Sequence, residues 1–134
     1  MNNSISPFSI YTIRHSRQLA EIFASGGTGQ HTEKKRWTSA QGILDAAKRS
    51  GQRLPVIFAA AETIDGLLYS AIVTDLHIED RGSFDASTTI TFTDMKRIAG
   101  KPPLSSLRLK SSGQPLSDSY IRPYAICHTP DYLE

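Results

Sequence analysis

Val56-Ile-Phe-Ala-Ala-Ala61, the dipeptide Asp65-Gly66 and the run from Leu67 to Ile78 decide how this chain folds. The first is a continuous apolar stretch behind Pro55, the last is rich in Leu, Ile and Val, and Asp-Gly supplies the positive φ of a tight hairpin turn. Together they predict a β-hairpin of two antiparallel strands. Downstream, Glu79 to Ser87 reads as a polar loop around Phe84, and Thr88 to Ile98 alternates Ile90 and Phe92 with threonines, as a half-buried strand does. Pro102-Pro103 breaks the chain, Leu104 to Lys110 suits either a short helix or a strand, and Ser111-Ser-Gly113 is a turn. Tyr120 to Cys127 reads as a last strand, placed at an edge because Pro123 lacks a ladder donor.

Upstream, Ser9-Ile-Tyr-Thr-Ile13 is β-branched and aromatic, which suits an early strand. Arg17 to Ala24 carries Leu19, Ile22 and Phe23 at helical spacing, and Ser25-Gly-Gly-Thr-Gly-Gln30 ends that helix. The glycine-rich run and Glu33-Lys-Lys-Arg36 read as a surface loop leading to Trp37. Thr38 or Ser39 then caps a helix running to about Arg49, with Ile43, Leu44 and Ala47 on one face, basic residues in its last turn and Gly51 beyond. Five to six strands with two N-terminal helices predict an α+β fold, a small curved β-barrel with flanking helices, in one domain spanning 1–134 with a core from about 8 to 128. A parallel doubly wound fold fits poorly, because strands and helices stop alternating regularly after Gly51.

The chain has 134 residues, 15 Lys+Arg and 13 Asp+Glu, a formal charge of +2 that hides an uneven distribution. His31 to Arg53 carries +4 and Lys96 to Arg122 carries +5, leaving −7 on the remainder. Two basic segments on an acidic body predict a local polyanion site, with both segments flanking one pocket. One cysteine, Cys127, excludes an internal disulfide and a cysteine-based zinc cluster, and fits a reducing, cytoplasmic setting. Met1 to Pro7 lacks the basic and apolar regions of a signal peptide, and no run approaches the roughly 18 apolar residues of a membrane span.

Signals of catalysis are sparse. His15, His31, His77 and His128 are scattered without metal-ligand spacing, no Gly-x-Ser-x-Gly elbow occurs, and Gly26-Gly-Thr-Gly29 lacks the lysine of a phosphate loop. No cofactor or metal is implied. Lys34-Lys-Arg-Trp37 is more suggestive, since an exposed indole beside three cations can stack on a base, worth about 1–3 kcal/mol, while the cations meet phosphates. The competing reading packs Trp37 in the core beside the following helix, and composition favours it because tryptophan is highly buried on average.

Taken together, Tyr11-Thr-Ile-Arg-His-Ser16, Trp37-Thr-Ser, Leu44-Asp-Ala-Ala-Lys-Arg49, Pro55-Val-Ile-Phe58 and the hairpin resemble the YTH domain. Thr91-Phe-Thr-Asp-Met95, Leu107-Arg-Leu109 and Gly113-Gln-Pro-Leu116 resemble its closing half. The resemblance, over roughly Tyr11 to Ile126, implies a PUA-like, EVE-like barrel that reads N6-methyladenine in RNA, or a flipped base in DNA, within an aromatic pocket. By the same resemblance Trp37 is the first wall, the Thr38 carbonyl accepts the single N–H of the methylated amine, and Arg14, His15 and Ser16 contact base and sugar. Burying the methyl group favours the modified base by about 1 kcal/mol. Lys34, Lys35, Arg36, Arg108 and Lys110 are the candidate phosphate partners. The family's second tryptophan is missing, with Phe84 or Tyr69 as substitutes, and its adenine-contacting asparagine has no clear counterpart, Gln18 and Gln30 being the nearest amides. An alternative resemblance, to ASCH-type hydrolases of modified nucleosides, draws on Glu33, Lys35 and Thr38. A third reading is a protein-interaction module for a nuclease or toxin partner, using the edge near Tyr120 to Cys127.

Overall fold

A computed structural model describes residues 4–63, 66–80, 86–117 and 124–133. The apolar run forms β3 (Leu54–Ala60), every residue of which is buried. It pairs antiparallel with β4 (Leu67–Asp80), the pairing the sequence reading expected, and parallel with β1 (Phe8–Arg14) on its other side. The last β3–β4 partners, Ala59↔Leu67, leave residues 60–66 between the strands, longer than a two-residue turn, and Asp65 of the expected turn lies outside the described residues. A parallel neighbour requires a crossover. That crossover consists of α1 (Ser16–Ala24), β2 (Gly29–Glu33) and α2 (Thr38–Arg49). With β5 (Ala86–Arg97) and β6 (Tyr124–His128) the six strands form one mixed sheet in the order β2-β5-β4-β3-β1-β6. β6 lies at an edge, as expected; Tyr120 to Pro123, the first half of the expected strand, lie outside the described residues.

β3 is a continuous apolar run because both of its faces are covered. Val56 and Phe58 join a core with α1, α2 and the inner faces of β4 and β5, while Ile57 and Ala59 join a second core under the C-terminal segment. That segment contributes Leu104, Leu107 and Leu116, and a single bridge ties Leu109 to Cys127 on β6. The ambiguous stretch after Pro103 is therefore split: Leu104–Ser106 is one 3-10 turn, and the next residues are extended. In α2, Ala40, Leu44 and Ala47 are buried at helical spacing, and its last turn carries Lys48 and Arg49, which complement the helix dipole.

One expectation fails. The glycine-rich loop contains β2, antiparallel to the outer edge of β5 from Gly29↔Phe92 to Glu33↔Thr88. It carries no apolar alternation, because its inward positions are taken by Gly29, His31 and Glu33. Glycine gives close approach at the first: a Cβ there would stand 3.1 Å from Ile22 Cγ2 and 3.2 Å from Phe92 Cζ, so those side chains would have to shift by a few tenths of an ångström to admit one. Register shifts in β4 at Ser70/Ile72 and Val73/Asp75 add local twist and coiling. The sheet curls enough that β2 reaches β1 across its concave face: Thr12 Oγ1 lies 3.5 Å from His31 Nε2, and the Arg14 guanidinium donates to the Gln30 carbonyl. Among the described residues no backbone ladder joins the two edge strands. The sheet is curved and open, and the closed barrel of the sequence reading is not formed by these pairings.

Candidate functional site

The expectation that two basic segments flank one pocket is met in part by position. A cleft of about 1030 Å³ opens between the start of α2 and β6. Lys35 and Arg36, from the first basic segment, and Lys110, from the second, all line it. Ser39, Gly42 and Ile43 form the α2 side, and Tyr124, Ala125 and Ile126 form the opposite wall. Among the described residues no carboxylate lines it. Arg36 is ion-paired with Asp80, and the Lys110 ammonium sits 5.0 Å from the centre of the Phe8 ring. The N-terminus of α2 adds the positive end of its dipole, with no side chain capping it.

Trp37 is not the exposed wall that its flanking cations suggested. Its ring is 1 % exposed and lies in the core, stacked on Tyr124 at 4.3 Å between centroids and 23° between planes. The cause is local. The Trp37 N–H donates to Thr88 Oγ1 at 3.0 Å, and the Thr88 hydroxyl donates to the Lys35 carbonyl at 2.6 Å. That clamp fastens the turn before α2 to β5 and directs the indole inward. A base held between two walls needs about 7 Å, twice an ordinary carbon contact, so the Trp37–Tyr124 slot is closed. The indole Nε1–H is buried with no hydrogen-bond partner.

Beside the indole lies a buried polar group of residues. His31, 7 % exposed, approaches Trp37 at 6.0 Å and meets Phe58 edge-on at 6.1 Å. Its Nε2 is 3.2 Å from Glu33 Oε1. Burial, with the nearby Arg14 charge, pushes the imidazole down to about 4 and keeps it neutral, while burial pushes the Glu33 carboxyl up. A neutral ring carrying its proton on Nε2 donates to Glu33.

The other candidate residues are dispersed. Arg14 donates to the Gln18 side-chain amide and to the Gln30 backbone carbonyl, while the Gln30 side-chain amide donates to Thr91. His15 caps α1, accepting from the Arg17 N–H at 3.3 Å, and Ser16 gives both its N–H and its hydroxyl to Glu62. Thr38 and Lys34 are exposed, Arg108 donates to the Gly113 carbonyl, and none of the three lines the cleft. Tyr69 lines a different cleft, beside α1, and Phe84 lies outside the described residues. Glu33 turns to His31; among the described residues no hydrogen bond or ion pair unites it with Lys35 and Thr38. Sequence reasoning missed Tyr124 and His31. Tyr124 had a signal, since alternation in the last strand puts it on the same face as Ile126; His31 had none, because its strand was read as a loop.

No family model matches the chain, and no curated protein matches it. Among the described residues no group of three His, Cys, Asp or Glu side chains is arranged to hold a metal ion, and no helix is long and apolar enough to cross a membrane. Cys127 is buried, and burial pushes its thiol up to about 12, which leaves it unreactive.

Proposed function

We propose that this protein is a non-catalytic nucleic-acid reader, a YTH-like or EVE-like member of the PUA-like barrels, which binds a single strand or an extruded base at the cleft between α2 and β6. The observation that carries this reading is the convergence of Lys35, Arg36 and Lys110, from two separate basic segments, on one cleft that Tyr124 also lines. Cations meeting phosphates around an aromatic surface are the usual construction of a single-strand site. The base stacks on Tyr124, with Trp37 as its backing, and N6-methyladenine is the favoured base because the apolar side chains of Ile43 and Ile126 offer a place for a methyl group. RNA is the first candidate strand and a flipped base in DNA the second. Less favours the hydrolase reading, since Glu33 and Lys35 belong to different surroundings.

The test is fluorescence anisotropy with methylated and unmethylated adenine in otherwise identical RNA and DNA oligonucleotides. Tighter binding of the methylated strand, by up to about 5-fold for one buried CH₂-sized group, is the expected result. Equal affinity for both strands removes the methyl-reading claim. Lys35→Gln and Lys110→Gln should each lower the salt-dependence slope by about 0.7, the value of one phosphate contact on a single strand.

A further inference from the structure

A second cleft, of about 610 Å³, lies between α1 and the ends of β4 and β5, on the far side of the sheet row from the first. Arg97↔Tyr69, Tyr69↔Phe58, Phe58↔Thr12 and Thr12↔Tyr124 are successive ladder partners, so Tyr69 and Tyr124 stand at one height along the strands. One end of this row opens on each cleft. Four strand spacings separate Arg97 from Tyr124, about 19 Å along the sheet and less across its curve.

Arg17, Arg97 and Lys101 line the second cleft, and among the described residues no carboxylate does. The Arg97 guanidinium is held in place by aromatic faces, 5.7 Å from the centre of Phe23 and 5.9 Å from that of Tyr69. Phe23 is 38 % exposed although its ring packs on Tyr69 at 5.4 Å. Lys101 is held at a φ of 45°, in the left-handed region that a long side chain seldom occupies, directly after Gly100 at 77°. Such backbone strain persists where the surrounding structure enforces it and is concentrated at binding sites. Here the enforcing contact is the Leu67 N–H, which donates to the Pro102 carbonyl at 2.8 Å and pins the segment against β4. The N-terminus of α1 is already engaged, since Glu62 accepts from both the N–H and the hydroxyl of Ser16.

We propose that this cleft is a second anion site, in which Arg97, Arg17 and Lys101 hold a phosphate group. A guanidinium fixed on two rings meets phosphate with little ordering left to lose, and its planar fork suits two phosphate oxygens. The phosphate comes either from the backbone of the strand whose base reaches the first cleft, which rests on the function proposed above, or from a free nucleotide.

The test follows the arginine Nε–Hε NMR signals of the full chain at matched ionic strength, with inorganic phosphate, adenosine 5′-monophosphate and oligonucleotides of about four and about twelve residues as probes. Arg97 and Arg17 signals should move with phosphate-bearing probes, and Lys101→Gln should weaken that response about threefold, the loss of one exposed charge contact. If no probe moves them, or if chloride reproduces the movement, the site is overturned. Movement with only the longer oligonucleotide assigns the strand as the source, and movement with the monophosphate assigns a free nucleotide. Should oligonucleotides bind without regard to Lys35 and Lys110 while phosphate still moves Arg97, the function proposed for the first cleft fails and the second site stands.

Discussion

Phe58 in the middle of β3 and Trp37 at the corner where α2 begins are equally buried, and they differ in what surrounds them. Val56 and Phe58 sit in a cluster of almost wholly apolar side chains, with the His31 ring edge-on to Phe58 at its border, and neither can be made smaller without leaving a void. Around Trp37 the same core accepts a neutral imidazole, a carboxyl group, a threonine hydroxyl and an indole N–H with no partner. Buried polar groups weaken a core unless every one is satisfied. The centre of the sheet is therefore arranged for stability, whereas the corner retains polar groups at some cost in stability, next to the cleft to which a function is assigned.

The largest effect that tests this contrast is at the centre. Phe58→Ala should cost about 3–5 kcal/mol in urea unfolding, through lost contacts and the cavity left behind. A much smaller loss would mean that the sheet can collapse around the gap and that its centre is no better packed than the corner. Next comes acid. The His31 imidazole is depressed from its usual 6.5 to about 4, so the unfolded chain binds a proton more readily than the folded one between those values. Stability from this group is complete above pH 6.5 and is lost as pH falls toward 4, by about 3 kcal/mol. Glu33, raised by the same burial, acts in the opposite sense as pH rises through its range. Denaturation midpoints across pH 4 to 7 should therefore fall with acid in the parent and less so in His31→Gln; parallel curves would separate His31 from the effect.

A smaller effect is expected at the indole. Trp37→Phe removes part of a buried ring but also a buried unpaired donor, whose burial costs about 1–3 kcal/mol, so the net loss should stay near 1 kcal/mol. A loss above about 3 kcal/mol would show that the indole N–H is satisfied and that the corner is not polar by design. Trp37→Ala is the poorer probe of binding, since it removes core volume as well. The smallest effect belongs to the surface. Arg36 and Asp80 are each close to half exposed, so Asp80→Asn should change stability by less than about 1 kcal/mol. It also releases Arg36 toward the cleft, and a modest gain in oligonucleotide affinity, abolished at high salt, is the result that would sharpen the contrast.

The elements legible in the sequence were those whose burial pattern is local. β3 with its partner β4, β5 and α2 each announce themselves through apolar runs, strict alternation or helical spacing with a basic last turn. β2 was not legible, since Gly29, His31 and Glu33 take the inward positions of a strand whose partners lie about sixty residues away. The same division holds for the candidate site. Lys35, Arg36 and Lys110 could be selected as cations in basic segments, but Arg108 and Lys34 belong to those segments too, and only the fold separates the residues that line the cleft from those that do not. Tyr124 entered the site because β6 pairs with β1 opposite Thr12, a contact spanning more than a hundred residues of chain.

By itself the sequence determined the class of fold, the antiparallel pairing of β3 with β4, the two helices and the uneven charge. Each of these depends on periodicity or composition within a short window, where neighbours in the chain are also neighbours in space. The tertiary structure alone decided that Trp37 turns inward. The deciding contact is one threonine, Thr88 on β5, which bonds both sides of the turn before α2, and no pattern around Trp37 could announce a partner fifty-one positions further along the chain.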